Sequence, residues 1–225
     1  MEEERASNEL QMSVERLKEW VERLGALAEQ SLAETPATRR QVDPAAACAW
    51  IAGFSDELGH RRPVDAAVLS RLMGCPPPPI EHESPDTRLW WSLADPDARL
   101  DIEPRGPITP VRVDQGVELW TETELGALHA VWNAAIDRCD AGLRSRCLDA
   151  TEWHVRELQP DNATTHAWAL HGFVICGYER GLAEAWIHAE MLLHACMLGT
   201  GRPDRFSACL MLDAARTLKR DLSGR

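Results

Sequence analysis

Residues 182–198, LAEAWIHAEMLLHACML, are the longest apolar stretch of the chain, and what they form decides the fold. Their length approaches that of a membrane span, but Glu184, His188, Glu190 and His194 interrupt it, and each would be costly in hydrocarbon. The stretch therefore reads as a buried helix of a soluble protein, and no membrane span is expected.

The flanks repeat the pattern. Gly177 to Gly181 read as a turn into this helix, and Gly199-Thr200-Gly201 as a break after it, with Pro203 opening a last helix that carries Leu210, Met211, Ala214, Leu218 and Leu222. Upstream, Asp161-Asn162 can cap a helix from Thr164 to Cys176, and another runs from about Leu143 to Leu158 before Pro160. Trp120-Thr121-Glu122-Thr123-Glu124-Leu125 has the form of a capping box, with Thr121 at the N-cap, Glu124 three residues on, and Trp120 with Leu125 as a hydrophobic staple. Short turns make such neighbours antiparallel. No alternation of period two persists, since Pro110 interrupts the best case, Ile108 to Val113. The expected fold is mostly α: antiparallel helical hairpins, as a bundle or a short α-solenoid-like array.

Toward the N-terminus, Leu10, Val14, Leu17, Val21, Leu24 and Ala28 follow a 4-3-4-3-4 spacing that keeps one seam along a helix. That seam serves either a coiled-coil dimer or packing on the chain's own helices. Two further helices are expected, one from Asp43-Pro44 toward Leu58 and one from Pro63 to Met73, with Gly74 just past its end. From Cys75 to Pro110 the chain is rich in proline, including the run Pro76 to Pro79, and reads as a stiff irregular connector with Trp90-Trp91 anchored on a core. The division expected is 1–74, 75–118 and 119–225.

Composition narrows the function. Of 225 residues, 36 are Asp or Glu and 24 are Lys or Arg, a net charge of −12, and 44% are apolar with nine Trp. This argues against general disorder, and the acidity argues against phosphate backbones and anionic membranes as partners. The opening Met1-Glu2-Glu3-Glu4-Arg5 lacks the form of a secretory signal. Cys48, Cys75, Cys139, Cys147, Cys176, Cys196 and Cys209 include no Cys-x-x-Cys pair, so reduced thiols in a cytoplasmic protein are expected.

Chemistry, if any, should lie among six histidines between positions 129 and 194. Glu184 with His188, and Glu190 with His194, are each four apart on one helix, and the two pairs point some 120° apart at about 100° per residue, toward different neighbours. They read as satisfied polar ties or as a site: Glu184 and His188 as an acid/base pair with His171, and Glu190, His194, Trp153 and Trp168 as binding residues. No metal motif such as His-Glu-x-x-His, phosphate loop or Gly-x-Ser-x-Gly elbow is present, so no metal or other cofactor is expected. The leading expectation is a cytoplasmic helical scaffold or interaction protein. Its partner would be protein, including a second copy of the chain through the N-terminal helix. The alternative is an enzyme with a Glu/His site in a Trp-lined cleft, acting on a small polar or sugar-like substrate.

Overall fold

The computed structural model describes residues 2–39, 42–77, 79, 84–112, 114, 116–158, 164–199 and 201–224, with side chains from Val14 onward. Among these residues the regular structure is helical, without strands. The helices are α1 (Glu2–Leu32), α2 (Pro44–Gly53), α3 (Asp65–Met73), α4 (Pro85–Ser92), α5 (Val117–Asp137), α6 (Ala141–Glu157), α7 (Leu170–Glu179), α8 (Ala183–Ala195) and α9 (Arg205–Gly224), with a 3-10 turn at Pro36–Thr38. No helix of the described residues is long and apolar enough to cross a membrane.

The seam on α1 is occupied within the chain. Leu17, Trp20, Leu24, Ala28 and Leu32 are buried, and α1 packs most extensively along α9, with further contact to α7. Leu10, the first seam position, lies outside the described side chains. Because the first and last helices pack together, the hairpins close into a bundle and do not spread into an open array. Arg216 on α9 strengthens the closure by donating to the Leu72 and Ala37 carbonyls. Helices α5 and α6, and α7 and α8, form the expected neighbouring pairs across turns at 138–140 and 180–182. One cluster of buried side chains runs from Leu17 through Val68, Trp90 and Trp132 to Leu218, drawing on all three stretches of sequence.

Several local expectations hold in detail. Asp43 caps α2 by accepting from the Ala46 amide at 2.9 Å, with Pro44 at the first turn. Gly74 ends α3 in the left-handed region at φ 64°. Helix α7 crosses beneath Trp132 at Gly172, where a Cβ would fall 2.4 Å from the indole nitrogen, so only glycine admits this approach.

Several expectations need correction: α2 ends at Gly53, short of Leu58, and Gly177 lies inside α7, which runs on to Glu179. The connector is not wholly irregular: Ser84 caps α4, and Trp90 on that helix is buried, its indole N–H donating to the Gly126 carbonyl at 3.0 Å. Helix α5 begins a turn before Thr121, with Gly116 at its N-cap, so Thr121 and Glu124 are interior positions and make no capping box. Helix α7 starts at Leu170 and not at Thr164. Ala169 adopts φ 52°, and its amide donates to His129 Nδ1, while Thr164 and His166 are drawn to Glu122 on α5. The proposed cap at Asp161-Asn162 and the stop at Pro160 lie outside the described residues.

Candidate functional site

The histidines and carboxylates of the C-terminal helices form three internal clusters, and helix α8 carries a fourth group on the surface. The first cluster joins α5 to α9. His129, Asn133 and Asp137 succeed one another every four residues on α5, as do Asp213, Thr217 and Asp221 on α9. Asp213 Oδ2 accepts from His129 Nε2 at 3.1 Å and from Asn133 Nδ2 at 2.6 Å, and Thr217 Oγ1 donates to Asn133 Oδ1 at 2.7 Å. Arg220 pairs with Asp137 at 3.1 Å. Partners rise together in number, so α5 and α9 run in the same direction here. Arg71 reaches in from α3, donating from Nε to Asp213 at 3.2 Å and from Nη1 to Asp137 at 2.7 Å.

Burial by itself would raise the pKa of Asp213, but the Arg71 charge and the donors His129 and Asn133 outweigh it and hold the carboxyl well below its usual range. His129 accepts from the Ala169 amide at Nδ1, so the network assigns its proton to Nε2, toward Asp213, and leaves the ring neutral. Burial lowers its pKa despite Asp213. His171 on α7 lies against His129 with ring centroids 4.3 Å apart and the rings tilted by 57°. It is wholly buried, and neither ring nitrogen has a hydrogen-bond partner among the described residues. Burial, then the neighbouring His129, pushes its pKa far below the ordinary value.

The second cluster fastens a loop. Wholly buried Glu124 accepts from the amides of Ile108 and Thr109 and from Thr109 Oγ1, each at 2.6 Å, and from His154 Nε2 at 3.1 Å. Arg146 on α6 donates to the carbonyls of Glu103, Gly106 and Pro107. A buried carboxylate and a guanidinium thus supply the hydrogen bonds that this non-helical backbone cannot make with itself.

The third cluster reaches solvent. Glu122 accepts from His166 Nδ1 at 2.6 Å, from Trp168 Nε1 at 2.7 Å and from Thr164 Oγ1. Burial opposes ionisation of Glu122, but these donors, His166 foremost, bring its pKa below the ordinary value. His166 Nε2 accepts from Arg62 Nη2 at 2.6 Å, and Arg62 also pairs with Asp56 and lies 4.4 Å over the Phe206 ring. Close by, burial lifts the carboxyl of Asp65 to about 6.

On α8 the two Glu/His pairs do address different neighbours, but not through mutual side-chain bonds. His188 places Nδ1 2.9 Å from the Glu184 main-chain oxygen and Nε2 3.3 Å from the Leu158 carbonyl, stacked on Phe173. The Glu184 side chain is exposed. Glu190 receives Arg23 of α1 at 2.6 and 2.8 Å, and His194 is exposed. Glu184, His188 and His171 therefore form no shared hydrogen-bonded set among the described residues. Trp168 belongs to the Glu122 cluster, while half-buried Trp153 stands edge-on to Trp120 and His154.

A groove of about 480 Å³ opens between α1 and α8, lined by Arg16, Trp186, Ile187, Glu190, Met191, His194, Ala195 and Leu198. Ile187 and Leu198 are 56% and 69% exposed, and the Arg16 guanidinium covers Trp186 at 4.2 Å. A larger cleft of about 720 Å³ lies beside the α5–α6 turn, but its two guanidiniums are engaged, Arg144 by Glu179 and Asp221 and Arg220 by Asp137.

The positions that sequence reasoning missed, Glu122, Glu124, Asp213, Arg62 and Arg71, depend on contacts between distant helices. The four-residue spacing of polar groups inside the apolar faces of α5 and α9 is the signal that could have exposed the first cluster. Chemically, the first cluster ties helices together and the second pins a loop, the Glu122 cluster holds a carboxylate-oriented imidazole near water, and the α8 groove offers apolar surface edged with charge. Compared with known proteins, the chain matches no family model, no curated protein and no solved structure.

Proposed function

We propose that the chain works as a protein-interaction module, docking its partner on the outer side of α8 and the adjoining part of α1. The observation that carries this reading is the exposure of Ile187 and Leu198 in one groove with Trp186 and Met191, where apolar area removed from water would drive association. Arg16, Glu190 and His194 supply a polar edge of the kind that gives such contacts register. The net charge of −12 supports a protein partner over nucleic acid or an anionic membrane, and a reducing cytoplasm suits the free thiols. The test compares immobilised wild-type chain with an Ile187→Glu, Leu198→Glu variant and with Val111→Glu on another face. Retention of the same protein by wild type and Val111→Glu, with its loss on the double variant, supports the reading. Equal retention by all three overturns it.

A second reading, as an enzyme, draws on one observation. Of the three internal His–carboxylate pairs, His166–Glu122 alone reaches solvent, with side chains 16% and 24% exposed. Glu122 would orient the imidazole through Nδ1–H, and Nε2 would take a substrate proton once Arg62 turned toward a substrate anion. Activity on a panel of small polar esters and sugars that disappears in Glu122→Gln and His166→Gln would support it. Activity unchanged in both would end it.

A further inference from the structure

We propose that the occupant of the α8 groove is a second copy of this chain, docked with its own α8 antiparallel about a two-fold axis passing between Met191 and His194. The inference rests on the reading of α8 as a docking face and adds the identity of the partner.

Ile187, Met191, His194 and Leu198 follow one another at spacings of four, three and four, and the three that lie within α8 fall in a stripe about 60° wide at about 100° per residue. Leu198 lies just past the helix, where i to i−3 hydrogen bonds from Met197 and Leu198 continue the turn. The order of these spacings is the same read from either end. Antiparallel pairing therefore sets Ile187 against Leu198 of the other copy and Met191 against His194, with both contacts made twice. This is the property an isologous interface requires, since one patch must be its own complement.

Charge selects the direction. In a parallel pair, Glu190 would face Glu190 and His194 would face His194 of the second copy. In the antiparallel pair, Glu190 of each copy, which is already held by Arg23 of its own chain, lies beside His194 of the other. Arg16 pairs with no carboxylate among the described residues and stands over Trp186, near the N-terminal half of α8. There it would meet the C-terminal end of the opposing α8, whose free carbonyls carry partial negative charge. The stripe is short, about 16 Å at 1.5 Å per residue, so the dimer would be weak and concentration-dependent.

Sedimentation equilibrium of the full chain over a series reaching millimolar concentration tests association, with circular dichroism to verify the fold of each variant. The expected result is a reversible monomer–dimer equilibrium that Met191→Glu abolishes and Val111→Glu leaves alone. Register is tested by oxidative cross-linking with exposed Cys48 and Cys139 replaced by Ser. Mixed Met191→Cys and His194→Cys chains should form the heterodimer in preference to either homodimer. A monomer at every concentration, a dimer indifferent to Met191→Glu, or preferential cross-linking of His194→Cys to itself overturns the inference. If wild-type chain stays monomeric yet retains another protein that Ile187→Glu, Leu198→Glu releases, this inference falls and the docking reading stands. If neither association nor retention responds to the α8 substitutions, both fall.

Discussion

His129 and His171 lie against each other with ring centroids 4.3 Å apart and planes tilted by 57°, both wholly buried, and among the described residues His129 alone of the two is hydrogen-bonded. Each has its pKa depressed below the ordinary 6.5 by burial, His171 the more strongly. The unfolded chain takes up protons that these folded rings refuse, so their contribution to stability is complete above about pH 6.5 and is lost as pH falls. Asp65, lifted to about 6, acts in the opposite sense, because its folded carboxyl holds a proton that the unfolded one has released. Replacing His171 leaves that carboxyl in place. Urea unfolding of His171→Leu should show it gaining about 2 kcal/mol on wild type between pH 8 and pH 5. Parallel stability curves would refute the assignment.

Asp213 is the anion on which Arg71, His129 and Asn133 converge. Asp213→Ala leaves the Arg71 guanidinium without that counter-charge, and a loss of about 3–5 kcal/mol is expected. Chemical denaturation at neutral pH measures it, and a loss below about 1 kcal/mol would mean that Asp137 alone satisfies Arg71.

Glu124 holds residues 108–109 by two backbone amides and the Thr109 hydroxyl. Glu124→Gln should cost about 1.5–3 kcal/mol, the range for hydrogen bonds to a charged group. The more specific readout is amide exchange: Ile108 and Thr109 should lose protection while amides in the middle of α9 keep theirs. Uniform change across both would show the loop to be held by other means.

Two glycine substitutions should differ in sign. Gly172→Ala drives a methyl group to 2.4 Å from Trp132 and should destabilise by about 1–3 kcal/mol. Gly25→Ala, within α1 and with nothing within 4 Å of the added carbon, should stabilise by about 0.4–1 kcal/mol. Thermal melts of both variants suffice as the measurement.

Helix positions were legible because they are local. The Pro44 and Gly74 signals, the turn before α8 and the apolar period of α1 each depend on a few adjacent residues. Thr121 and Glu124 misled for the same reason: their spacing imitates a helix start, and only the return of residues 108–109 to α5 reveals what the carboxylate serves. His166 was visible merely as one of several histidines, since Glu122 and Arg62 lie 44 and 104 positions away. Likewise, α1 alone shows a seam and not its occupant, which is α9.

That closure governs how the chain can be made. Arg23 meets Glu190 across a sequence separation of 167, and Ser31 meets Pro203 across one of 172. While the ribosome extends the polypeptide, the greasy side of α1 lacks most of its native cover until α9 emerges, so the first long helix waits for the last. Nascent chains halted before residue 205 should accordingly engage chaperones through Leu17, Trp20 and Leu24, and release them only when synthesis supplies the missing wall.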